Sequence, residues 1–244
     1  MISMTAMSSP VLLNNVDHHD LRVVLGHGAV FGDCVNQVTV FPTEFEELQR
    51  DYAILFRRNA DGAFRSTVLL GLDEGENLYL DESGWTARYI PALMQRGPFS
   101  IGVPGPGETG EPMIHVDPSH PRVSRSEGEP VFLDHGGNAP YLDHIARVLQ
   151  AIYVGSKVSE AMFAAFEKHD LLEPVTLDVR LDDTRGYKLP DCYTIAPTHL
   201  SALDGEQLAA LHGSDFLRPA IWAASSLRNI TRLIEMKNRR DRER

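Results

Sequence analysis

The chain has 244 residues, with 23 Lys and Arg against 34 Asp and Glu and a formal net charge of −11. That balance excludes bulk nucleic-acid binding, which needs a basic face to neutralise phosphates. A composition of 43% hydrophobic and 23% charged residues excludes disordered, collagen-like and coiled-coil chains, and the length is ample for one large domain with a real core.

The first ten residues, Met1 to Pro10, hold no basic region and no apolar run, so they do not read as a secretory signal. Residues 1–9 are expected to be disordered. No stretch approaches the roughly 20 apolar residues needed to span a bilayer, so no membrane insertion is expected. Cys34 and Cys192 lie far apart and lack metal or redox spacing. They read as two buried thiols in a reducing cytoplasm.

Along the chain, Leu21–Val24 and Val35–Val40 read as short strands. Thr43 followed by Glu46 predicts a capping box for a helix that turns Phe45 and Leu48 inward. Asp61-Gly62 predicts a hairpin turn into Ala63–Leu72, and Asp81–Gly84 a second turn after Glu76–Leu80. Pro91–Gln95 reads as a short helix. Pro98–Pro140 is the least regular part, with a Gly- and Pro-rich loop at Gly102–Gly110. That loop is no phosphate cradle, because no Lys-Ser or Lys-Thr follows and its prolines remove backbone donors.

The second half reads as mostly helical. Leu142, Ile145, Val148, Leu149 and Ile152 recur at helical spacing in Tyr141–Val154, and Ser159–His169 continues as a second helix. Val175, Leu177, Val179 and Leu181 alternate with polar residues, as on a strand with one buried face. A turn at Arg185-Gly186 leads to Tyr187–Leu189 and a further short strand at Cys192–Ile195. A last helix is expected from about Leu217 into a solvated basic tail, residues 237–244. The predicted class is α+β: a β-rich N-terminal half with short hairpins, a helical C-terminal half, and a single compact domain over residues 10–236.

Ten histidines invite a metal search. His115-Val-Asp117 is the front half of the facial triad that holds non-haem iron(II), with His169, His199 or His212 as a distant third ligand. His18 and His19 are adjacent and diverge on either element type, so they are poor co-ligands. One of them is expected to make a buried hydrogen bond, with Asp17 or Asp20 as a cap. Nucleophilic catalysis has little support. Gly-x-Ser-x-Gly is absent, and Asp33 beside Cys34 raises a thiol pKa.

Several segments recur in a recognisable order. They are Pro10–Val23 around His18, Val35-Asn36-Gln-Val, Glu44-Phe45, Tyr52–Phe56, Leu69-Leu-Gly-Leu72, Gly75–Asp81 and Trp85-Thr-Ala-Arg-Tyr-Ile-Pro-Ala92. Glu127–Phe132, Leu171–Pro174 and Ser226–Leu233 follow. Together they resemble the bacterial SapC family over nearly the whole chain. The resemblance implies an accessory role, since members are encoded beside TonB-dependent receptors, tryptophan-halogenase-like proteins and cupin-like oxygenases. The family name also carries a surface-array association. The peptide-transporter permease of the same name does not match, for want of a membrane span.

Within those segments Asn77 is expected to hold a turn. Trp85, Arg88 and Tyr89 read either as a core cluster, with Arg88 paired to Glu44 or Glu76, or as a ligand-facing cluster. His18, Asn36, Trp85, Arg88 and Tyr89 are the candidate ligand-binding residues. The expected function is a cytoplasmic binding or accessory protein with a protein or small-molecule partner and no cofactor. The alternatives are an iron(II) oxygenase-like enzyme using His115 and Asp117, and a surface-layer structural protein.

Overall fold

The computed structural model describes residues 9–102, 112–180 and 186–243. The glycine-rich loop beyond Gly102, Leu181, Arg185 and residues 1–8 of the N-terminal segment lie outside the described residues.

Strands β1 (Val11–Leu12), β2 (Arg22–Val23) and β3 (Gln37–Val40) come first. A 3-10 turn, Pro42–Glu44, then runs into α1 (Phe45–Leu48), whose Phe45 and Leu48 are buried as expected. The cap differs from the expected one. Glu44 Oε1 accepts from the Phe41 N–H at 3.0 Å, while the Thr43 hydroxyl donates to the Ala151 carbonyl at 3.0 Å. Pro42 starts the helical turn earlier than Thr43 would, because its fixed φ and missing N–H suit a first turn.

β4 (Ile54–Arg58) and β5 (Phe64–Leu69) form the hairpin that Asp61-Gly62 announces, with Gly62 at φ 82°. β6 (Leu80–Asp81) and β7 (Gly84–Trp85) form a smaller one, and α2 spans Ala92–Gln95. The stretch read as irregular also contributes strands: β8 (Phe99–Gly102), β9 (Met113–Val116), β10 (Val123–Ser124) and β11 (Glu129–Pro130). They assemble two small antiparallel sheets, in the orders β1-β9-β8 and β10-β2-β11.

Helix α3 spans Pro140–Lys168 without a break, where two helices were expected. Gly155, at its middle, interrupts the apolar pattern but not the helix. A Cβ there would lie 2.5 Å from Phe41 Cβ and 2.6 Å from Thr43 Oγ1, so only glycine lets α3 pack this close to the 3-10 turn. The N-terminal half of α3 buries Leu142, Ile145, Val148 and Leu149 in one core with Phe99, Val116 and Val131. Its C-terminal half buries Met162, Phe163 and Phe166 in a second, larger core.

β12 (Leu172–Arg180) and β13 (Gly186–Ile195) complete a five-stranded antiparallel sheet ordered β12-β13-β4-β5-β3. β13 runs through Pro190, joining the two short strands expected there. Phe56 and Phe64 meet Phe163 across the sheet–helix interface at ring separations of 5.1 and 5.4 Å. Phe56 and Phe163, the two buried rings, contribute about 1.5–3 kcal/mol each.

Helices α4 (Pro197–Ser201), α5 (Gly205–Gly213), α6 (Leu217–Ser226) and α7 (Asn229–Glu243) close the chain. α5 starts on a reciprocal cap between Asp204 and Gln207. The last helix, expected to be continuous, breaks after Ser226. Ser226 Oγ accepts from the Ile54 N–H at 2.9 Å, and Asn229 donates to the carbonyls of Gln49 and Tyr52. Both side chains serve the backbone leading into β4, and the break lets them reach it.

Two residues of the basic C-terminal segment, Lys237 and Arg240, are docked, while Arg239 and Arg242 are exposed. Lys237 is 3% exposed and donates to Asp73 at 2.6 Å and to Glu76 at 2.9 Å, with Asp241 at 3.1 Å. Arg240 donates to the carbonyls of Asn77, Leu78 and Leu80. The glycine of Leu69-Leu-Gly-Leu72 has its own reason: a Cβ at Gly71 would lie 2.4 Å from the Glu76 carbonyl oxygen.

Candidate functional site

Trp85 and Tyr89 come together on Tyr52, which is fully buried between α1 and β4. Trp85 Nε1 donates to the Tyr52 hydroxyl at 2.7 Å, and that hydroxyl donates to the Tyr89 carbonyl at 2.6 Å. Glu44 accepts from the Tyr89 hydroxyl at 3.2 Å and the Ala92 N–H at 2.8 Å. Burial pushes the Glu44 carboxyl above its ordinary range, against these hydrogen bonds.

Arg88 is exposed, so the expected buried pair with Glu44 or Glu76 is not formed. Only its backbone joins the network, donating to Asp51 at 3.2 Å. Glu76 binds Lys237 instead. Asn77 holds its turn as expected, accepting from the Tyr79 N–H and donating to the Asp33 carbonyl. Asn36 works through its backbone carbonyl, which accepts from Leu70 and Gly71. His18 is buried with its Nδ1 3.2 Å from the Asn14 backbone, matching the expected buried histidine. Asn14, not Asp17 or Asp20, caps that turn.

His115 sits on β9 with its Nδ1 3.3 Å from the Met113 carbonyl. Asp117 Oδ1 accepts from the backbone and hydroxyl of Ser119. Among the described residues, no group of three His, Cys, Asp or Glu side chains is placed to hold a metal ion.

The Tyr52 hydroxyl ties two otherwise separate segments. Tyr52→Phe is expected to lower stability by about 2 kcal/mol, by leaving the Trp85 N–H and the Tyr89 carbonyl without this partner. For a chain of this size the melting temperature falls by about 4–8 °C. Urea unfolding of the two proteins checks this, and equal midpoints would contradict it.

Trp85 has a further contact. Its ring packs edge-on to His27, centroids 5.4 Å apart. His27 in turn lines a cleft of about 310 Å³ between the Leu25–His27 loop, the α2 region and the first turns of α3. Arg122, Tyr141 and His144 also line it, with apolar walls from Leu25, Ile90 and Ile145.

Behind the lining sits Asp33, whose side chain is 5% exposed. Its Oδ2 accepts from Arg122 Nη2 at 2.8 Å and the Gly28 N–H at 2.9 Å, and lies 3.2 Å from His27 Nδ1. Burial alone would raise the Asp33 pKa. The hydrogen bonds from His27 and Gly28, and the Arg122 charge, outweigh it and hold the carboxyl below its ordinary value. Arg122 also donates to the Gly26 carbonyl, and its guanidinium lies 4.3 Å from the Phe31 ring centroid. Burial pushes the Tyr141 phenol up to about 12, so it stays an O–H donor at neutral pH.

From sequence, His27 and His144 are two among ten histidines, and Asp33 stands out only as the neighbour of Cys34. Arg122 and Tyr141 were missed. The one local signal was the pair of glycines, Gly26 and Gly28, that flank His27.

Neither a curated protein nor a solved structure matches this chain. The SapC family model matches residues 13–233, a span that holds both the Tyr52 network and the cleft. The resemblance seen in the motif segments is thereby established, and the chain belongs to the SapC family.

Proposed function

We propose that this chain is a binding or accessory protein that holds a small molecule in the His27–Arg122–Tyr141 cleft. It acts in the cytoplasm, in support of a TonB-dependent uptake system or of halogenase- or oxygenase-type enzymes. One observation supports binding over turnover. The lining offers donors on apolar walls, yet among the described residues that form it there is no Ser, Thr, Cys, Lys or carboxylate to act as nucleophile. The volume of about 310 Å³ lies at the small end of ligand cavities. The His27–Asp33 pair favours a second reading, proton abstraction by the imidazole.

One experiment separates the two. The full chain is incubated with a bacterial metabolite extract and repurified, and the small molecules it retains are identified by mass spectrometry. Retention of unchanged molecules, lost in Tyr141→Phe/His144→Gln, is the expected result. Catalytic conversion of an extract component by substoichiometric protein would overturn the binding reading.

A further inference from the structure

We infer that the cleft recognises a small monocarboxylate carrying an apolar body. The inference rests on the binding reading above and adds the chemical class of the ligand.

Charge comes first. Arg122 contributes one positive charge and Asp33 one negative charge, and the two are in contact at 2.8 Å. The pair is neutral overall, so the site lacks the excess positive charge that a phosphate needs. A cationic ligand fares worse. No carboxylate is among the described lining residues, and Asp33 Oδ2 already faces Gly28, His27 and Arg122.

Donors come second. Tyr141 offers its hydroxyl. The His144 imidazole offers a ring N–H, and the His27 ring stands beside it with its Nδ1 held 3.2 Å from the Asp33 carboxylate. A single carboxylate has two oxygens to share among these donors, and charge-assisted hydrogen bonds are about twice as strong as neutral ones. Leu25, Ile90 and Ile145 then cover the rest of the ligand. A cavity of about 310 Å³ suits a molecule on the order of ten non-hydrogen atoms.

Phenylacetate fits this description. Phenylacetamide has the same shape without the charge, and phenethylamine carries the opposite charge. Titration of the full chain with each, followed through the histidine ring-proton resonances, tests the inference. Phenylacetate is expected to shift two histidine resonances, assigned to His27 and His144 by His27→Gln and His144→Gln. It is expected to bind at least about tenfold more tightly than the amide. Tyr141→Phe is expected to weaken phenylacetate by about fivefold to tenfold. Arg125→Ala, in a separate surface depression, is expected to leave binding unchanged.

Equal binding of acid and amide, tighter binding of the amine, or no histidine shift with phenylacetate at millimolar concentration would overturn the inference. The binding reading fails by a different result, namely turnover of extract components. Retained molecules that prove neutral or cationic would sink the carboxylate inference and leave the binding reading standing.

Discussion

Asp33→Ala is expected to lower the stability of the chain by about 3–5 kcal/mol, the cost of leaving a buried charge without its partner. Arg122 is as buried as Asp33, with 6% and 5% of their side chains exposed. The loss removes the acceptor for Arg122 and for the Gly28 N–H, and the neighbour of His27, at a single stroke. Thermal unfolding should show a fall of about 6–20 °C. The double variant Asp33→Ala/Arg122→Met is expected to recover much of it, because removing both members leaves no uncompensated charge. A double variant as unstable as the single one would show that the pair is not the source.

The same residue sets an acid limb. Folding favours the ionised Asp33, since its carboxyl is held below the ordinary value of 3.8. Its contribution is therefore complete above that value. It is lost as pH falls below it through the depressed folded value. Asp33→Asn is expected to remove this part of the acid dependence in urea midpoints measured between pH 5 and about 2.5.

Lys237→Met is expected to be the second large effect, again about 3–5 kcal/mol. It strips the cation from Asp73, Glu76 and Asp241, and Glu76 is buried. Burial alone would lower the Lys237 pKa. The hydrogen bonds to Asp73, Glu76 and Asp241 outweigh it and raise it, so the ammonium stays charged throughout the neutral range. The turn before β6 should then open, since Arg240 holds the Asn77, Leu78 and Leu80 carbonyls from the same helix. Limited proteolysis is expected to cut near Gly75 in the variant and not in the parent. Glu76→Gln in the Lys237→Met background should restore part of the stability. A variant as stable and as protease-resistant as the parent would show that the ion cluster does not hold the helix.

Local signals made much of the fold legible. The Asp61-Gly62 turn, the buried pair Phe45 and Leu48, and the alternation of Val175, Leu177 and Val179 each act within a few residues. The sequence reading went wrong where distant contacts decide. Gly155 breaks a helical pattern on paper, and only the approach of Phe41 and Thr43 explains why glycine belongs there. β9 to β11 are two to four residues each and exist because β1 and β2, about a hundred residues earlier, pair with them, and β8 pairs with β9 in turn. Ser226 and Asn229 split a helix to satisfy backbone more than 170 positions away. The cleft follows the same pattern. Asp33 and Arg122 lie 89 residues apart, and neither stands in a local motif that announces the other. Trp85 was legible as important, but as the support of His27 and not as the lining itself.

Helix α3 joins all this in one rod. With 29 residues it is about 43 Å long. Tyr141 and His144 stand at one end, beside the cleft, and Phe163 and Phe166 are wedged against the five-stranded sheet near the other. Such a rod behaves as a lever. A tilt of about 5° at the cleft end would carry the far end through about 4 Å, more than close-packed aromatic rings tolerate without rearranging. Whatever fills the cleft must therefore fit a first turn that the distant ring cluster already holds at a fixed angle.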